Sequence, residues 1–146
     1  MKAEADLAKR ILDTLPSCMH KIVVRIRTSQ KRGMTFPQFR ILGGIAHGLK
    51  HVMEMATLHG VSQPAMSKMV NGLVKRGFVE RLPRGGDRRK IELALTRKGR
   101  RAFLGTRKGV EMQLEHRISN LTPGEKSDLA RGLAQLRNLF LDGERK

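Results

Sequence analysis

Between residues 61 and 101 the spacing of apolar residues changes from that of a helix to that of a strand and back, which limits the folds open to the chain. Val61 closes a turn and Ser62 is a capping residue. Ala65, Met66, Met69, Val70 and Leu73 then recur at the interval of one helical face. Gly77 ends that helix. Phe78 to Leu82 and Ile91 to Leu95 alternate as strands, and Pro83, Gly85 and Gly86 place a bend between them. Thr96 opens the next helix.

The flanking segments are helical. Residues 3–30 carry Ile11, Leu15, Met19, Ile22, Val23 and Ile26 at spacings of three and four, interrupted by Pro16. A proline inside a helix removes a donor and crowds the preceding turn, so two helices meeting near Thr14, or one kinked helix, are expected. Thr35 and Gln38 form a capping-box pattern ahead of Phe36, Phe39, Leu42, Ile45 and Ala46, and this second helix should stop near Gly48. A short third helix over about 51–58 is expected to turn Met55 and Leu58 inward, with Glu54 outside. Lys50 offers it a poor cap, and Gly60 permits the turn that follows. The fifth helix has a seam of Phe103, Val110, Leu114, Ile118 and Leu121. A second capping box, Thr122 to Glu125, opens a sixth with Leu129, Leu133, Leu136 and Phe140. Gly105 and Gly109, four apart, are a weak mark of a close helix crossing. Phe supplies all the aromatic residues, so aliphatic and Met side chains, among them Met53, Met55, Met66 and Met69, must fill the interior. The fold class that follows is mainly α with a small β-hairpin wing, in winged helix-turn-helix order.

Charge narrows the function. The 146 residues hold 30 Lys and Arg against 13 Asp and Glu, a net charge of +17, and such a field favours polyanions, with double-stranded DNA first among them. Twelve of those bases and three acids, Glu80, Asp87 and Glu92, lie between residues 68 and 101. The outward stripe of the helix after Ser62 carries Gln63, Pro64, Ser67, Lys68, Asn71 and Lys75, which suit base edges and phosphates. A polar stripe is usually only a solvated face, but this one is followed by a hairpin with Arg81, Arg84, Arg88, Arg89 and Lys90. The bases fall in turns and a hairpin, so no membrane role is expected. A single cysteine, Cys18, excludes an intrachain disulfide framework and a thiolate-rich zinc site. The N-terminus mixes acids and bases with no apolar run behind it, so a cytoplasmic, nucleoid-associated protein is expected. No nucleophile–base–acid set or phosphate-cradling glycine loop is present, and neither enzyme activity, a cofactor nor a metal site is expected.

The terminal helices have apolar stripes without a compact partner of their own, which favours a homodimer, since a helix-turn-helix reader gains affinity by binding two half-sites. Residues 1–33 and 97–146 are therefore assigned to a helical dimerisation region, and 34–96 to the DNA-binding lobe, within one continuous domain. Thr35 to Phe39 with Leu42, then Glu54–Met55–Ala56, Val61–Ser62, the Leu73–Gly77 helix end, Arg81, Asp87–Arg88–Arg89, and Leu95–Thr96 with Gly99 together resemble the MarR family of bacterial transcriptional regulators. The resemblance implies a dimeric repressor of a pseudo-palindromic operator, with the recognition helix in the major groove and a wing arginine in the minor groove. Carried over, Gln63, Pro64, Ser67 and Lys68 face the major groove, with Asn71 and Lys75 on the same stripe and the capping Ser62 also counted in the DNA-binding set. Arg89 is first choice for the wing insertion and Arg88 second, with Arg84 and Lys90 beside them, and Asp87 orients an arginine. It also implies release by a small phenolic or aromatic effector held between dimer helices and lobe, toward which His20, Arg25 and Phe39 could point. On the residues alone Phe39 is core and the other two are solvated.

Three other readings compete with this one. One is non-specific architectural binding by the charge alone. Another is redox sensing by Cys18. Alignment through Pro37 places the sensing cysteine of such relatives near Ile11, the chain has no Tyr to support a thiolate, and a free cysteine on an apolar helix is ordinarily buried. The third is metal sensing, but Phe39 and Arg40 stand where zinc-responsive relatives have an acid and a histidine.

Overall fold

Capping chemistry sets the helix boundaries. In the computed structural model, which describes residues 2–29, 34–85 and 87–142 and the backbone alone at 87–90 and 142, the helices are α1 (Lys2–Thr28), α2 (Phe36–Ala46), α3 (Val52–His59), α4 (Gln63–Lys75), α5 (Arg97–Ser119) and α6 (Pro123–Arg137). A π-helical turn, Asn138–Asp142, continues α6. Strands β1 (Val79–Arg84) and β2 (Asp87–Leu95) form one antiparallel hairpin. The chain forms two compact units, residues 1–110 and 111–146. No helix among the described residues is long and apolar enough to cross a membrane.

At the start of α2 the Thr35 hydroxyl accepts from the Gln38 amide and the Gln38 side chain accepts from the Thr35 amide, satisfying two donors that a helix end leaves orphaned. Ser62 accepts from Ala65 N, and Thr96 accepts from Gly99 N at 2.9 Å. Thr122 and Glu125 repeat the α2 box. The α3 start has no side-chain cap: His51 occupies the cap position, one residue beyond Lys50. Gly60 ends α3 at φ 63°, in the left-handed region that a Cβ disfavours.

The core belongs to the first unit. Ile41, Leu42, Met55, Met66, Val70 and Leu73 are fully buried, with Met34, Phe78, Val79, Leu93 and Phe103 nearly so. This corrects the expected stripe of α2, where Ile41 is buried and Phe36 and Phe39 are half-buried, Phe39 stacking on Phe103 at 5.1 Å. In α3 the inward row is Val52, Met55, Ala56 and His59, so Leu58, expected inside, is 57% exposed. Ala65 likewise lies outside the buried face of α4.

Pro16 does not divide the first helix, which is continuous from Lys2 to Thr28. A proline gives up one helical donor, a loss confined to a single rung of the ladder, and the Ser17 hydroxyl that follows donates to the Asp13 carbonyl at 3.2 Å. Only Ile26 of its expected seam is buried, and Met19 is 40% exposed. Cys18, expected to be buried, is exposed. In the second unit α6 buries no residue, leaving Leu129 and Leu133 exposed, as is Phe140 of the π-helical turn that follows. Ile118 of the fifth-helix seam is also exposed.

The joint between α4 and α5 is tightly closed. Three successive carbonyls leaving α4 are each taken by the start of α5: Arg76 O by Lys98 Nζ, Gly77 O by Thr96 Oγ1, and Phe78 O by Thr96 N, at 2.7, 2.6 and 3.1 Å. A Cβ on Gly99 would lie 1.8 Å from the Phe78 carbonyl oxygen, far inside van der Waals contact. Of the glycine pair expected to mark a crossing, Gly109 meets the Ser29 side chain at 3.7 Å, ordinary contact.

Candidate nucleic-acid interface

Helices α3 and α4 pack through Met55, Ala56, Met66 and Val70 about the Gly60 turn, so the opposite face of α4 is held outward by a rigid support. On that face Gln63, Pro64, Lys68, Asn71 and Lys75 are exposed and Ser67 is half-buried, as the helical spacing required. Ser62 is exposed as well, and its hydroxyl is committed to the cap. Asn71 is only partly available: its side-chain oxygen accepts from the Arg81 guanidinium of β1, leaving the amide NH2 to face outward. Arg81 thereby fastens recognition-type helix to hairpin.

The hairpin register runs from Val79↔Leu95 to Pro83↔Ile91. Both strands outrun expectation, β1 reaching Arg84 and β2 beginning at Asp87. Pro83 lies within β1, which is tolerated because a strand with one neighbour need not donate from every residue. Past Val79 every β1 side chain is exposed, including Leu82 at 45%, so the hairpin stands off the core. At its tip Arg84 pairs with Asp87, and Arg88, Arg89 and Lys90 fall between the partner positions Asp87 and Ile91 with nothing opposite them on β1. The backbone of the expected wing residues is thus a bulged stretch of β2 at the hairpin end, while the side chains of Asp87, Arg88, Arg89 and Lys90 lie outside the described residues.

A carboxylate missed by the sequence reading braces this hairpin. Glu92 Oε1 pairs with Arg84 Nε at 3.2 Å and Oε2 with Lys50 Nζ at 3.1 Å, and Leu93 N donates to Lys50 O at 2.9 Å. Arg84, expected to contact DNA, makes this intramolecular ion pair with its side chain still 60% exposed, and Lys50, expected only as a weak cap, ties the α3 entry to β2. Glu92 follows closely on the run Arg88–Lys90 in β2, which was a usable signal. A second brace was not legible: Gln38 Oε1 accepts from Arg76 Nη1 at 2.9 Å as well as from Thr35 N, joining the α2 cap to the end of α4.

Of the residues considered for an effector, His20 is exposed on α1, Arg25 is half-buried and Phe39 packs on Phe103. None lines the cleft of about 360 Å³ that opens beside the α4–α5 joint.

The arrangement presents a polar helix face and a basic, projecting hairpin with the same rigid backing, which suits a groove and its neighbouring backbone. Comparisons with known proteins agree with this. A model described as MarR family matches residues 32–90. The uncharacterized HTH-type transcriptional regulator YfiV of Bacillus subtilis (strain 168) is 30% identical over 107 residues, which are 73% of this chain and 67% of YfiV. The crystal structure of RV1404 from Mycobacterium tuberculosis superposes with a TM-score of 0.77 at 26% identity, over 91% of this chain and 94% of that one. Streptococcus pneumoniae FabT, solved in complex with DNA, gives 0.77 at 21% identity over 94% and 99%, a likeness of fold alone.

Proposed function

This chain belongs to the MarR family of transcriptional regulators, which are not enzymes, and from that premise we propose that it is a dimeric repressor binding a pseudo-palindromic DNA operator. The observation that carries the reading is the exposed stripe of α4 set beside the hairpin wing. The major groove distinguishes all base pairs by donors and acceptors that Gln63, Ser67 and Lys68 can match, and a narrow minor groove concentrates the negative potential that attracts Arg89 or Arg88. FabT, whose fold this chain shares, was solved on DNA, which supports the same use of the lobe. The exposed apolar seams of α1 and α6 support a second copy as partner. Release by a small phenolic or aromatic effector, with His20, Arg25 and Phe39 near it, completes the proposal.

The test is selection from a random duplex pool followed by competition at moderate salt. An inverted repeat with half-sites about one helical turn apart is expected. Ser67→Ala and Gln63→Ala should each reduce discrimination between base pairs by roughly 1–3 kcal/mol, and Arg89→Ala should weaken binding at the flanking minor groove. Binding of selected and random DNA within a few fold of each other would sink the regulator reading and favour charge-driven architectural binding.

A further inference from the structure

We propose that the cleft beside the α4–α5 joint is a binding site for a small phosphomonoester. Its walls come from three separate stretches: Met34 ahead of α2, Arg76 and Phe78 where α4 passes into β1, and Lys98, Arg101, Ala102 and Gly105 on α5. Its volume of about 360 Å³ lies in the range of small-molecule sites, roughly 300–1,000 Å³. Met34, Phe78 and Ala102 give an apolar floor for an organic group, and Gly105 leaves room above it.

Charge selects the ligand. Arg76, Lys98 and Arg101 bring three positive charges to one cleft, and no carboxylate is among its lining residues. Two of the cations are held in place beforehand. The Arg76 guanidinium is fixed by Gln38 and sits 4.7 Å from the Phe78 ring centre, and Lys98 Nζ is held by the Arg76 carbonyl 5.1 Å from the same ring. Groups already ordered lose little freedom when an anion arrives, so their repulsion is relieved at small entropic cost. A phosphomonoester offers close to two negative charges at neutral pH and three acceptor oxygens, enough for Lys98 and Arg101 at once. A carboxylate brings one charge, as does each phosphodiester of duplex DNA.

Calorimetric titration of the full-length protein with phenyl phosphate and with benzoate, at matched ionic strength, reads binding directly and does not depend on any DNA activity. Phenyl phosphate is expected to bind at least about tenfold more tightly than benzoate, a difference of about 1.4 kcal/mol. Its affinity should rise between pH 5 and 7.5 as the second phosphate proton leaves near pH 6, while that of benzoate stays level. Arg101→Met, an exposed side chain, should weaken phenyl phosphate about tenfold, whereas Arg97→Met, on the same helix but outside the cleft, should leave it unchanged. Equal binding of benzoate, a flat pH profile with phenyl phosphate, or equal losses in the two arginine variants would overturn the proposal, the last by showing attraction to surface charge alone.

Discussion

Helices α4 and α6 begin alike and end in different circumstances. Each has a hydroxyl N-cap, Ser62 or Thr122, and a proline in its first turn, and each repeats leucine or valine at helical spacing. Yet α4 buries Met66, Val70 and Leu73 completely, and α6 buries nothing. Local chemistry therefore decides that a helix forms, but burial of its stripe needs a surface to meet. In α4 that surface is α2, α3 and the hairpin. For α6 the proposed second copy would provide it.

Variants of the two helices should respond unequally. The largest effect is expected from Leu73→Ala, which opens a cavity in the lobe and should cost roughly 2–5 kcal/mol in urea unfolding. A loss below about 1 kcal/mol would mean that the lobe collapses around the gap and that its core is less close-packed than α4 suggests. Next is Gln38→Ala, expected to cost about 1–2 kcal/mol because one oxygen serves both the α2 cap and Arg76. The matching change Glu125→Ala frees only its own helix start, so unfolding of the lobe should not register it.

Acid should also separate the regions. Burial, and then the positive charge of Arg40, hold the His59 pKa below its ordinary 6.5, and its Nε2 is buried with no hydrogen-bond partner among the described residues. The unfolded chain takes up that proton first as pH falls. The stability His59 contributes is therefore complete above pH 6.5 and lost as pH falls through the lowered value. Melting temperatures at pH 7.5 and 5.5 should fall further apart in the native protein than in His59→Gln. Hydrogen bonds from the Thr122 amide and hydroxyl hold Glu125 below its ordinary 4.5, so the α6 box keeps its contribution above 4.5 and yields only in stronger acid. The smallest effect on the single chain is expected from Leu133→Ala, within about 0.5 kcal/mol under dilution, since the side chain is already exposed. In sedimentation the same variant should weaken self-association, and an unchanged dimer would remove α6 from the proposed interface.

What could be read from the sequence divides along the same line. The caps at Thr35, Ser62 and Thr122 were legible because donor and acceptor lie three residues apart, and the outer face of α4 because period alone fixes it. The inner face of α3 was not: in two turns, Met55 with Leu58 and Met55 with Ala56 and His59 both fit a helical stripe, and only the packed neighbours choose. Strand β2 was shortened because Arg88, Arg89 and Lys90 carry no alternation to betray an extended backbone. Within the candidate interface the exposed polar residues were found, but the pairs Asn71–Arg81, Arg84–Glu92 and Gln38–Arg76 join side chains whose meeting depends on the fold as a whole.

Gly99 imposes a distinctive mutational signature. At ordinary core positions tolerance is graded, since a smaller residue leaves a gap and a similar one fits. At position 99 the obstacle is the first side-chain carbon, set against a backbone carbonyl that cannot rotate away. Alanine should therefore be nearly as damaging as tryptophan, and a saturation library scored for folding should show a flat, uniformly depleted column there, with graded columns at Leu73 and Val70.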